Sequence, residues 1–74
     1  MAPRFKNLKR YCDNNGWAMV RNTDHWYYEK VLVNGIVLRT RVSHATHKEI
    51  PKKISEKILK KQLQISEEDF WKGV

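Results

Sequence analysis

"WYYEKVLVNGIVLRTRV", residues 26–42, is the stretch whose reading decides the fold. Two runs rich in β-branched and aromatic residues flank Asn34-Gly35. That dipeptide accepts the positive φ values of a two-residue type I′ turn, so the stretch predicts an antiparallel hairpin. If Asn34 and Gly35 are the whole loop, pairing follows by counting outward. Val33 meets Ile36, Val31 meets Leu38, Glu29 meets Thr40, Tyr27 meets Val42, and His25 meets His44. On the other face Leu32 meets Val37, Lys30 meets Arg39, Tyr28 meets Arg41 and Trp26 meets Ser43. Side chains alternate between the two faces with period two. The first set is largely apolar and is expected to meet helices. The second carries Lys30, Arg39 and Arg41 among Trp26 and Tyr28. Lys30 opposite Arg39 is mildly costly unless an anion lies between them. A β-bulge would exchange the faces.

Around the hairpin the pattern changes to helical spacing. Phe5, Leu8, Tyr11 and Cys12 form an apolar stripe, with Lys6, Lys9 and Arg10 on the other faces. This predicts a helix from about Pro3 to Asn14, ended by Gly16 in a left-handed cap. "GWAMVRN" reads as a short strand closed by the turn residues Asn22, Thr23 and Asp24. After the hairpin, "SHATHKE" reads as a loop and "IPKKISEKILKKQL" as a helix with Pro51 in its first turn. Its expected buried stripe is Ile50, Ile54, Ile58, Leu59 and Leu63. Ser66 caps a short third helix, with Asp69 in the capping-box position and Phe70 and Trp71 to dock it. One α+β domain follows: three antiparallel strands with the two main helices on one face, in the order α-β-β-β-α, plus a short C-terminal helix. This is the arrangement of double-stranded-RNA-binding domains.

The chain of 74 residues carries 15 Lys and Arg against 8 Asp and Glu, a net charge of +7. Such a surface attracts polyanions before any specific contact forms. A solvated lysine-rich face and a surface for an acidic protein partner are the competing readings of the same charge. A domain of this size buries roughly 60% of its unfolded surface, which leaves room for a shallow surface site. The single cysteine, Cys12, cannot form an intramolecular disulfide and reads as a small buried hydrophobe. Basic residues interrupt the first segment before any signal-like apolar run, and no run is long enough to span a bilayer. A cytoplasmic protein without membrane association is expected.

In the counted register His25 and His44 are neighbours at the end of the sheet. An imidazole with a pKa near 6.5 exchanges protons at neutral pH. Metal-free RNA cleavage uses that chemistry: a base takes the ribose 2′-OH proton, an acid protonates the departing 5′ oxygen, and cations stabilise the phosphate. Two ordinary strand-end histidines are the plainer reading of the same pattern. Basic groups among aromatic rings fit nucleic acid, charge for phosphate and rings for unstacked bases. His44-x-x-His47 with His25 and Cys12 lacks the paired, tightly spaced elements of a structural zinc site, so no metal or other cofactor is expected.

Several segments, taken in order from Leu8 to Phe70, resemble the HicA family of toxins, which cleave messenger RNA in bacterial and archaeal toxin–antitoxin systems. "LKRYCDNNGWAMVR" resembles the family's first helix and first strand. "TDHWYY" stands where the family carries Gly-Ser-His at the start of the second strand. "VLRTRVSHATHKEI" is similar to its third strand and following loop, and "ILKKQLQISEEDFW" to its second helix and tail. The resemblance implies a double-stranded-RNA-binding-domain-like fold, metal-independent endoribonuclease activity through His25, and neutralisation by a HicB-type antitoxin. Any homo-oligomer would form only through that complex. His44 matches loosely, as a second candidate catalytic residue. Arg21, Trp26, Tyr28, Lys30, Arg39 and Arg41 on the sheet, with Lys48, Lys52 and Lys53 at the second helix, are the expected RNA contacts. Thr23-Asp24 replaces the family's Gly-Ser and brings negative charge beside the expected site. A non-catalytic RNA-binding module on the same scaffold is the alternative.

Overall fold

The computed structural model describes residues 2–74. Helix α1 spans Phe5–Asn14, strands β1, β2 and β3 span Ala18–Asn22, His25–Val31 and Val37–Ser43, and α2 spans Lys52–Lys57. The chain continues from α2 as a π-helical segment, Ile58–Leu63, and ends with α3, Glu67–Gly73. The strands form one antiparallel sheet in the order β1-β2-β3. Leu8, Tyr11 and Cys12 of α1 pack with Tyr28, Leu38 and Val42 of the sheet and with Ile58, Leu63 and Phe70 of the C-terminal helices. The expected α+β class is therefore present, with α1, the π-helical segment and α3 contributing to one core. Among the described residues no helix is long and apolar enough to cross a membrane.

The hairpin is where expected, but its loop has three residues rather than two. The Leu32 N–H donates to Ile36 O at 2.8 Å, and the Gly35 N–H donates to Leu32 O at 2.9 Å. Gly35 sits at φ +87°, the left-handed residue that completes a three-residue turn with a bulge. The extra residue slips the register by one. Lys30 now pairs with Leu38, Tyr28 with Thr40, Trp26 with Val42, Glu29 with Arg39 and His25 with Ser43. The expected core face of β3 (Leu38, Thr40, Val42) is correct, whereas the faces of β2 are exchanged. The physical reason is twofold. The slip buries Tyr28 to 1% exposure. It also replaces the like-charge Lys30–Arg39 pairing with a Glu29–Arg39 ion pair at 2.8 Å.

Helix α1 begins at Phe5, not Pro3, and its free amides are satisfied by the loop before α2. The Phe5 N–H donates to Lys48 O and the Lys6 N–H to Thr46 O, while the Arg4 N–H donates to Asn7 Oδ1. Gly16 adopts the expected left-handed conformation at φ +76°. Ser66 caps α3 as expected, its Oγ accepting from the Asp69 N–H at 3.1 Å. The second helix departs from the single α-helix read from its pattern. Ile54 is 50% exposed, and Ser55 takes the inward position in the first turn. From Ile58 onward the wider π winding brings Ile58 and Leu63, five residues apart, to the core together. An α-helical continuation would have set Gln62 in that line; its Oε1 instead accepts from the buried Thr40 hydroxyl at 2.7 Å.

One polar network crosses the interface between α1 and the sheet. Tyr28 OH donates to Asp13 Oδ1 at 2.6 Å, and Lys9 Nζ lies 2.8 Å from Asp13 Oδ2. Lys9 Nζ also stands 5.1 Å from the centre of the Trp26 ring. Burial alone would raise the Asp13 pKa, but the hydrogen bonds from Lys9 and Tyr28 outweigh it and hold the carboxyl below its ordinary value. Burial and the neighbouring Asp13 carboxylate push the Tyr28 phenol up. A carboxyl depressed in the folded state stabilises fully above its unfolded pKa, near 4, and that contribution disappears as pH falls through its folded value. Urea midpoints measured between pH 7 and pH 3 should therefore fall less in Asp13→Asn than in the wild type.

Candidate nucleic-acid interface

The face of the sheet turned away from the helices is built by the slipped register. It carries His25, Tyr27, Glu29 and Val31 from β2, opposite Ser43, Arg41, Arg39 and Val37 of β3. Strand β1 adds Arg21, paired with Tyr27 just past a bulge between Met19 and Arg21. The Arg21 guanidinium lies 4.2 Å from the centre of the Tyr27 ring, a cation–π contact that fixes both side chains. Arg39 is held by Glu29, whereas Arg41 has no acidic partner among the described residues. Two shallow, open clefts share Tyr27 and Arg39. One is lined by Val20, Arg21 and Glu29, the other by Thr40, Arg41 and Gln62.

Three of the nine expected contacts, Arg21, Arg39 and Arg41, are thus brought together, and six are not. Trp26, Tyr28 and Lys30 lie on the helix-facing side because of the one-residue slip: Tyr28 is in the core, and Lys30 borders Tyr11, Trp17 and Leu38. Lys48, whose carbonyl caps α1, and the exposed Lys52 and Lys53 of α2 belong to the helix layer. Lys52 borders an apolar cleft with Ile50, Phe70 and Trp71. The aromatic residue of the basic face is Tyr27, which the counted register had assigned to the core. The like-charge cost of Lys30 opposite Arg39 was the signal in the sequence that pointed to the other register.

His25 begins β2 at the end of this face. Its side chain is 33% exposed. Nδ1 is the occluded part of the ring, with no hydrogen-bond partner. Asp24 Oδ2 stands 3.3 Å from it, close enough for an ion pair but misaligned for a hydrogen bond. The other oxygen of Asp24 is firmly held: Oδ1 accepts from Tyr27 OH at 2.8 Å and from Thr23 Oγ1 at 3.0 Å. Those hydrogen bonds, the one from Tyr27 foremost, keep the Asp24 carboxyl well below the usual carboxylate range.

His44 does not join His25. The counted pairing of the two is replaced by His25 opposite Ser43, and the His44 ring meets Trp26 edge-on at 4.5 Å. Its Nε2 lies 3.0 Å from Asn22 Oδ1. The two imidazoles therefore sit at one end of the sheet on opposite faces. Cys12 is fully buried, and burial pushes its thiol up to about 12, which keeps it unreactive at neutral pH. Among the described residues no three His, Cys, Asp or Glu side chains converge on a common point where a metal ion would fit. Compared with known protein-family models, curated proteins and solved structures, the chain has no match.

Proposed function

We propose that the chain is a HicA-type endoribonuclease with a double-stranded-RNA-binding-domain-like fold, acting on single-stranded messenger RNA in the cytoplasm. The observation that carries the reading is a partly exposed histidine at the end of a basic, aromatic sheet face. Arg21, Arg39 and Arg41 bind phosphates there, and Tyr27 lends an aromatic surface between them. His25 takes the proton of a ribose 2′-OH. The 2′ oxygen bonds to phosphorus, the P–O5′ bond breaks, and water supplies the proton to the departing O5′, leaving a 2′,3′-cyclic phosphate. A HicB-type antitoxin, drawn by the net charge of +7, would cover this face.

The second reading, an RNA-binding module without catalysis, is favoured by one observation. His44, the other candidate imidazole, does not share the His25 face, since it is held by Asn22 on the other side. Incubating the purified chain with single-stranded RNA in a chelating buffer separates the two. Fragments ending in 2′,3′-cyclic phosphate are expected; intact RNA with salt-sensitive binding would establish the module instead. Binding also discriminates between the arginines. Arg41→Ala should lower the slope of log affinity against log salt by about 0.7, the share of one phosphate contact on a single strand. Arg39→Ala should lower it less, because Glu29 already neutralises Arg39.

A further inference from the structure

We propose that Asp24 is a positioning residue for His25: its carboxylate, held by Tyr27 and Thr23, fixes the imidazole with its proton on Nδ1 and leaves Nε2 as the free base. The catalytic side of this inference rests on the ribonuclease reading; the tautomer itself does not. In a neutral imidazole one nitrogen donates and the other accepts, and whatever the first nitrogen meets decides which is which. His25 Nδ1 is closed off from water and has a carboxylate oxygen beside it, at 3.3 Å. An unprotonated Nδ1 would set a lone pair against a negative charge with no water between them. A protonated Nδ1 faces an acceptor, and a modest rotation of the ring completes the hydrogen bond.

The carboxylate is itself prevented from turning away. Tyr27 OH and Thr23 Oγ1 both donate to Oδ1, so Oδ2 is the oxygen left for His25. Tyr27 is fixed in turn by the Arg21 guanidinium on its ring, and it meets the His25 ring edge-on with centroids 6.2 Å apart. Asp24 in the preceding turn, Tyr27 on its own strand and Ser43 across on β3 thus adjoin the imidazole. The Ser43 Oγ accepts from the Ala45 N–H and makes no hydrogen bond to Nδ1. The chain Arg21–Tyr27–Asp24–His25 thus runs from the basic surface to the ring. The negative charge that should weaken RNA binding acquires a use: it orients the base.

Nitrogen-15 NMR of the wild-type imidazole, above its titration range, reads the tautomer directly and needs no variant. Nδ1–H as the major form is expected. Nε2–H, the form free histidine favours, would overturn the inference. In Asp24→Ala the ring should revert towards Nε2–H, and Tyr27→Phe, which removes one of the two donors that hold Oδ1, should move it part of the way. An unchanged tautomer in Asp24→Ala would overturn the inference as well. In cleavage assays Asp24→Ala should lower kcat by about tenfold or more, a part of what general-base catalysis supplies. Its RNA affinity should be equal or tighter, because a negative charge has left the surface. A full rate in Asp24→Ala, with His25→Ala inactive, would reject the positioning role alone. Equal rates in wild type and His25→Ala would reject the ribonuclease reading and leave the tautomer result standing.

Discussion

Replacing His25 with alanine is expected to lower RNA cleavage by roughly 10²–10⁴-fold, the range that a positioned general base contributes. On the activation barrier this is about 3–5 kcal/mol. The same substitution should leave stability and RNA affinity nearly unchanged. The ring is 33% exposed and lies outside the core cluster, so no cavity opens. On the proposed reading the phosphate contacts come from Arg21, Arg39 and Arg41, not from His25. Single-turnover cleavage together with urea denaturation gives both numbers. His44→Ala is the matched control and should behave in the opposite way. Its ring packs on Trp26 and its Nε2 meets Asn22, so its loss costs some stability and little rate. If the two variants cleaved equally well, the distinction between the sheet faces would carry no chemistry. Loss of growth arrest on expressing His25→Ala without a partner protein is the corresponding result in cells.

The contrast between those histidines depends on one residue of loop length, and that marks how far the sequence is legible. Asn34-Gly35 located the turn, yet the same dipeptide serves a two-residue loop and a three-residue loop with glycine last. Strand β3 could be oriented, because Leu38, Thr40 and Val42 alternate with Arg39, Arg41 and Ser43. Strand β2 could not, because Trp26, Tyr27 and Tyr28 put aromatic rings on both faces. The like-charge cost of Lys30 opposite Arg39 hints at the other register, and tertiary contacts fix it: the Tyr28 hydroxyl finds Asp13 on α1, and the Trp26 ring meets Lys9. The second helix was misread for a related reason. Period 3.6 was extended through Ile58–Leu63, where the chain winds more widely, and back to Ile50, which precedes the helix. His25 itself was readable from its place after the Asn-Thr-Asp turn. The contact between Asp24 and His25 was not, since it needs the fold of that turn and Tyr27 on the same face.

Phe70→Ala is expected to have the largest effect on stability, about 3–5 kcal/mol. Phe70 is 1% exposed on a helix of seven residues, too short to persist without tertiary support. Its ring lies 5.3 Å from that of Tyr11 and 5.2 Å from that of Trp71. Two further features tie α3 to α1. The Asn15 side-chain amide donates to Tyr11 O and to Gly73 O, at 2.7 and 3.0 Å. Gly73 also sits so close to Tyr11 that an added Cβ would lie 2.6 Å from the ring. With Phe70 truncated, these remaining contacts do not fill the space beneath Ile50 and Leu59, and Tyr11 loses its neighbour. A core of this size rarely supplies more than about 3–5 kcal/mol in total, so the variant should be largely unfolded at 37 °C. Denaturation melts and hydrogen exchange test this. A loss below about 1 kcal/mol, with protection lost in α3 alone, would show that the helix is an accessory to a core that stands without it. The opposite result, loss of protection in α1 and the sheet together, would bind α3 into the cooperative unit. Any fall in cleavage by Phe70→Ala should then reverse on cooling or adding a stabilising osmolyte, whereas that of His25→Ala should not.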